Sequence, residues 1–148
     1  MAGHLLNRAG FGGSIVEIMK LHRLGHVGAV NELLSAGEDL DLYPVPRLST
    51  PAENAMARRE AKKLDRPEQM QRKKMAKQAD REQIDALRFW WLQRMRSTPN
   101  PVREKAVLFW HGHWATSVMK VKEPYFIWQQ NETLRAHALG NFTPFAKE

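Results

Sequence analysis

The sequence has no cysteine and only two tyrosines among its 148 residues. Without thiols there is neither a disulfide framework nor a thiolate metal site, so a bound metal would need His, Asp or Glu ligands. Their absence does not fix the compartment. Long apolar runs are missing as well: no stretch approaches the roughly 20 residues a helix needs to span a bilayer. The opening MAGHLLNRAGFGG lacks the longer apolar region and cleavage pattern of a secretory signal, so no export signal is read there. Localisation stays open on this reading, cytoplasmic if the N-terminus is native. Acidic residues are also in deficit, with 16 Asp and Glu against 23 Lys and Arg and a formal net charge of +7. That balance suits nucleic acid, anionic lipid or an acidic partner, depending on where the excess is concentrated.

What the chain does have is tryptophan, histidine and helix punctuation. Its densest aromatic run is Pro101 to Ser117, PVREKAVLFWHGHWATS. Asn100 can cap the first free amides and Pro101 suits the first helical position, which predicts a central helix of more than four turns. At about 100° per residue, Val102, Ala106, Phe109, His113 and Ser117 share one face. Val107, His111, Trp114 and Val118 share nearly the opposite one, with Leu108 and Ala115 in a third sector. A helix apolar nearly all round is normally wrapped by neighbours, so His111 and His113 are expected in the interior.

The segment from His4 to Ala9 reads as a short helical turn closed by a glycine cap at Gly10. The following GFGG lacks the Lys-Ser/Thr ending of a phosphate-binding loop and has no strand before it, so a turn is favoured. Ser14 and Glu17 form a capping box that opens a helix through Ile15, Ile18, Met19 and His22 to Gly25. A second helix follows through Val27, Val30, Leu33 and Leu34 to Gly37, making a helical hairpin. His22 and His26 lie near its turn without an acidic ligand at chelating spacing and read as surface histidines. Residues 38–49 carry two prolines and read as a loop.

Thr50, Pro51 and Glu53 restate the capping signature and start a third helix. From Glu53 to Glu82 there are ten basic and six acidic residues, with few large apolar ones. Pro67 is expected to interrupt this stretch, and Met70, Met75, Ala76 and Ala79 are too scattered to form an apolar stripe. Residues 53–82 therefore read as a solvated charged helical arm within a helical unit spanning 1–148. From Ile84 the pattern changes: Ile84, Leu87, Trp91 and Met95 line one helix face, and Phe89 and Trp90 are expected to widen its buried surface. Two prolines between Ser97 and Pro101 then break the helix.

After Ser117, Lys120 and Lys122 flank a short connection, and Pro124 opens a last helix that Gly140 is expected to end. Its strip of Ile127, Leu134 and Ala138 also contains Asn131, with Arg135 one turn farther on and Glu132 near Trp128 and Arg135. Buried amides and guanidiniums need partners, so these residues form an internal helix-linking network or line a polar pocket, with the network favoured. The sum is an all-α protein: an irregular bundle of five to six helices with a central aromatic-rich helix and a long charged arm.

Three blocks, HLLNRAGFGG, NPVREKAVLFWHGHWATS and KVKEPYFIWQQNETLRAHALGNF, resemble the domain of unknown function 1800 family, a poorly understood bacterial family. They occur in the family's order and cover both ends and the middle of the chain; the charged segment has no equally distinctive pattern. The resemblance implies a largely helical protein without an established reaction, substrate or catalytic residue. It also implies that this chain is an N-terminal portion, since family members usually continue into more helices.

Whether the chain is an enzyme stays open, and no cofactor is assigned. A candidate polar cluster draws His4, Asn7 and Arg8 from the opening block and His111, His113 and Ser117 from the central one. Asn131, Glu132, Arg135 and His137 join it from the last helix. His111 and His113 are the candidate metal ligands, although in a helix their side chains diverge by about 200° and share a metal only if Gly112 breaks the helix. His113 and Ser117 lack an acidic third member for nucleophilic catalysis. A structural or interaction role explains more of the chain, since five tryptophans and repeated caps are what a packed helical unit needs. Its expected partner is the remainder of a longer family-type domain or another chain, self-association included. Binding of anionic partners or nucleic acid by the basic arm is the remaining alternative, disfavoured because acids are interspersed and no aromatics are interleaved.

Overall fold

The computed structural model describes residues 1–35, 43–114, 116–118, 120–121 and 123–147. The described residues form seven helices and no strand: α1 (Ala2–Ala9), α2 (Ile15–Ser35), α3 (Pro51–Ala61), α4 (Arg66–Ser97), α5 (Pro101–His113), α6 (Pro124–His137) and α7 (Phe142–Phe145). The chain is all-α, as its periodicities require. The expected helix end at Gly37, the start of the loop at 38–42, and the placements of Ala115 and Lys122 lie outside the described residues.

The chain divides into two compact units. The first comprises Met1–Pro44, Leu92–Ala115 and Asn131–Glu148. Its apolar core joins Ala2 and Leu6 of α1 to Leu21, Ala29 and Leu33 of α2, with Leu5, Ala9, Ile18 and Val102 packed against them. The expected hairpin is present inside α2. Gly25 leaves helical geometry at φ 68°, a left-handed value that disfavours side chains, and Lys20 on one half pairs with Glu32 on the other. Ser14 caps the first half. The Glu17 carboxylate accepts from its N–H and its hydroxyl, both at 2.7 Å, and these bonds hold the Glu17 carboxyl below the usual carboxylate range.

Gly10 is the expected cap of α1. Its backbone is extended, at φ −143° and ψ −152°, and its N–H donates to the Leu6 carbonyl. A side chain would be crowded there: a Cβ would lie 3.2 Å from the Cβ of Pro101 and 3.1 Å from the Leu6 oxygen. This glycine of the opening block thus lets the end of α1 meet the start of α5.

The second unit comprises Val45–Trp91 and Thr116–Gln130. Thr50 and Glu53 form the complete capping box at α3. The break expected at Pro67 begins earlier: α3 stops at Ala61, Asp65 accepts from the Glu68 N–H at 2.9 Å, and Pro67 is the second residue of α4, where its missing N–H costs nothing. No residue from Glu53 to Glu82 is buried. Ile84, Leu87 and Trp90 are buried and Trp91 half-buried, whereas Phe89, expected to add to the buried surface, is 63% exposed. Gln83 ties down the preceding loop, accepting from the Ser49 N–H at 2.7 Å. Arg58 reaches Glu123 at 2.8 Å.

The helix α5 is shorter and less enclosed than its composition implied. It ends at His113, with Trp114 at the C-cap, so Ser117 is not on it. Leu108 and Phe109 are 41% and 64% exposed and His113 is exposed too, whereas Glu104 and Val107 are fully buried. A charged side chain, rather than the aromatics, shares the deepest positions with Val107. Likewise α6 ends at His137, three residues short of Gly140, and α7 follows without having been read from the sequence.

Candidate functional site

The first unit is organised around Glu104. It stands in the first turn of α5, while Arg94 and Arg135 stand in the last turns of α4 and α6. An acid at a helix N-terminus and bases at C-termini each match the local helix dipole, so the backbone favours all three charges before they pair. Arg135 holds Glu104 at both oxygens, Nε to Oε1 at 2.6 Å and Nη2 to Oε2 at 3.1 Å, the two-pronged geometry that fits guanidinium to carboxylate. Arg94 Nε lies 3.2 Å from the same Oε1. Arg135 also donates through Nη2 to Asn131 Oδ1 at 2.7 Å and through Nη1 to Glu132 Oε1. Asn131 and Glu132 lie one turn before it on α6, so helix spacing delivers both acceptors to one guanidinium.

The two arginines and Asn131 are 5–6% exposed and Glu104 fully buried. Charges this enclosed pay a large desolvation cost that only close opposite charge and satisfied hydrogen bonds offset. With Glu132 included, the centre carries two cations and two anions. Asn100, 1% exposed, adjoins it in sequence as the N-cap of α5, its Oδ1 accepting from the Arg103 N–H at 3.1 Å. The arrangement fixes the register of α5, α6 and the end of α4.

Around the C-terminal end of α5 lies an aromatic cluster. Trp110 and Trp114 stack at 5.1 Å, and Phe145 meets both edge-on, at 5.1 and 4.4 Å. Phe142 stacks on both indoles, and Trp110 Nε1 donates to the Ala138 carbonyl at 3.1 Å. Short α7 is held in place by these contacts. The outer rim is apolar and open, with Phe109 64% and Phe142 54% exposed, and Leu139, in the turn between α6 and α7, is 46% exposed.

The ten candidate residues do not all meet. Asn131, Glu132 and Arg135 join Glu104 in the charge centre. His113 instead stacks on Phe109 at 6.3 Å, and His137 stacks on Phe145 at 5.4 Å, both within the aromatic cluster. His111 is half-buried on α5. His4, Asn7 and Arg8 are exposed on α1, with no side-chain hydrogen bond or ion pair among the described residues, and Ser117 is exposed in the segment assigned to the second unit. Among the described residues no three His, Asp or Glu come together as a metal set.

Sequence reading missed Glu104, Arg94 and Asn100's burial. The signal was present for Glu104: it lies three residues before Val107 and seven before His111, on the face already marked by those residues. The family model described as a protein of unknown function, DUF1800, matches residues 4–148, nearly the whole chain. The chain belongs to the DUF1800 family. No curated protein and no solved structure matches it. Within this DUF1800 chain the central block therefore carries the charge centre through Glu104 and the aromatic cluster through Trp110 and Trp114, while the last block supplies Asn131, Glu132 and Arg135. No described helix is long and apolar enough to cross a membrane.

Proposed function

We propose that this DUF1800 chain is a helical structural and interaction module, in which the charge centre sets the helix arrangement and the aromatic rim meets further protein. The observation that carries this reading is the pairing at Glu104: both carboxylate oxygens are taken by Arg135, with Arg94 against one of them. A general acid or base must reach a substrate proton, and a fully buried carboxylate held at both oxygens is occupied in architecture instead. Phe109, Phe142 and Leu139 supply the contact surface. Its partner is further helical protein, either the remainder of a longer family-type domain or another chain, since apolar rims of this kind gain most by being covered.

The test combines metal analysis of the purified protein with thermal melts of His111→Ala, His113→Ala and Arg135→Met. The proposal expects the largest loss of stability in Arg135→Met and no stoichiometric metal. Stoichiometric metal lost equally in both histidine variants overturns it and makes metal-assisted chemistry the leading reading.

A further inference from the structure

The acids of the charged segment are interspersed with bases in sequence, but the two signs separate on the surface of α4. At about 100° per residue, Arg66, Met70, Lys73, Lys74, Lys77 and Arg81 fall within a sector about 100° wide. All six are exposed. Glu68 lies on the far side of the same helix, and Glu82 about 80° beyond the edge of the sector. Asp80 borders the sector but is half-buried, near Glu123 and Arg58 of the second unit. The stripe runs about 22 Å along the helix axis.

Among the described residues none of these five cations has an ion-pair partner. Lys73, Lys77 and Arg81 succeed one another at four-residue spacing, where like charges destabilise a helix. The stripe therefore works against the stability of its own helix. We infer that it is a binding surface for the phosphodiester backbone of a nucleic-acid duplex.

The chemistry of the stripe selects that occupant over others. Lipid binding by a helix lying on a membrane needs an apolar face with Leu, Phe or Trp, and Met70 is the only apolar residue in the sector. Single strands are held by aromatic stacking, and residues 53–82 contain no aromatic. A protein interface needs a desolvated core with aromatic anchors, which the stripe lacks. What remains is a line of mobile ammonium and guanidinium charges facing a repeating anion. Duplex DNA carries one charge per ~1.7 Å of its axis, and binding of this type is driven by counterion release without base readout.

The experiment is fluorescence anisotropy of a labelled 30-base-pair DNA duplex with the full chain, across a series of salt concentrations. Wild type is compared with the triple variant Lys73→Gln, Lys74→Gln, Lys77→Gln and with a charge-matched control, Arg23→Gln, Arg72→Gln, Arg96→Gln, whose exposed cations lie off the stripe. Circular dichroism checks that helicity is unchanged in both. The stripe variant should bind about tenfold or more weakly and lose about three from the slope of log affinity against log salt, roughly one per phosphate contact removed. The control should keep the wild-type slope. Equal losses in the two variants would reduce the effect to net charge and overturn the proposal. So would tighter binding of a single strand of the same length, or of phosphatidylserine vesicles when the duplex is not bound.

Discussion

Removing the carboxylate of Glu104 should unfold this protein at far lower temperature than any surface charge change. Arg94 and Arg135 are 6% and 5% exposed, and Glu104→Ala removes the anion between them. Breaking a buried ion pair by deleting one partner costs about 3–5 kcal/mol, because the surviving charge is left uncompensated. Here the anion is withdrawn from two buried cations at once, while Arg135 keeps Asn131 and Glu132 as acceptors. For a chain of this length that corresponds to a fall in melting temperature of roughly 10–15 °C. The assay is urea unfolding followed by circular dichroism, comparing midpoints at unchanged slope so that the shift reports stability alone. Asp85→Ala, which breaks the exposed Arg88–Asp85 pair at 2.9 Å, is the internal control and should cost no more than about 1 kcal/mol. The triple replacement Arg94→Met, Glu104→Leu, Arg135→Met should recover most of the loss, since packed apolar side chains often replace a buried ion cluster without penalty. A Glu104→Ala variant as stable as Asp85→Ala would refute the reasoning, for it would mean that the arginines reach water without unfolding the unit.

Other outcomes follow from single contacts. Asn100→Ala, which removes the buried acceptor for the Arg103 N–H, should cost about 1–2 kcal/mol in the same assay. Gly25→Ala should cost about 1–2 kcal/mol because its φ of 68° strains any residue with a Cβ, whereas Gly112→Ala, with open space around it, should be neutral or stabilising. Burial foremost, and Glu123 after it, hold the Asp80 carboxyl above its usual value against the opposing effect of Arg58. The folded state therefore keeps the Asp80 proton longer than the unfolded chain, and stability falls as pH rises from the ordinary aspartate value through the raised one. Asp80→Asn should remove that slope, which unfolding midpoints measured from pH 3.5 to 7 will show. The Glu17 carboxyl has the opposite sign: the bonds from Ser14 contribute stability above the ordinary glutamate value that is lost as pH falls through the lowered one, and Ser14→Ala should flatten that acid limb.

Helix starts were legible because each has a local chemical cause. Ser14 with Glu17, Thr50 with Glu53, and Asn100 before Pro101 announce their helices in three or four residues, and the structure uses all three. Helix ends and inward faces were less legible, since they depend on neighbours far along the chain. Gly10 caps α1 as its sequence suggests, yet its close approach to Pro101, ninety-one positions later, is announced by no local pattern. Phe89 and Phe109 read as core by composition and stand open instead, 63% and 64% exposed. Asn131 and Arg135 stood out because polar groups on an apolar strip need partners, yet the partner itself, Glu104, hid in a first turn where an acid is ordinary.

In α5 the carboxylate of Glu104 is enclosed while Leu108 and Phe109 face outward. Apolar side chains pack in many nearly equivalent ways, whereas a carboxylate held at both oxygens by one guanidinium accepts a single orientation. Glu104 therefore does what the aromatics beside it do poorly: it distinguishes the native arrangement of three helix ends from compact alternatives. With orientation fixed by charge, Leu108, Phe109 and Phe142 can be left outward at 41–64% exposure without loosening the unit. Covering a side chain such as Phe109 gains about 1.5–3 kcal/mol, so these positions are where added protein contact brings the largest return. The two histidines follow from the same geometry. His113 extends the outward aromatic surface by stacking on Phe109, and His111, two residues earlier, is turned about 160° away from it around the helix. The HGH pattern thus places its two histidines on different sides of α5, in separate surroundings.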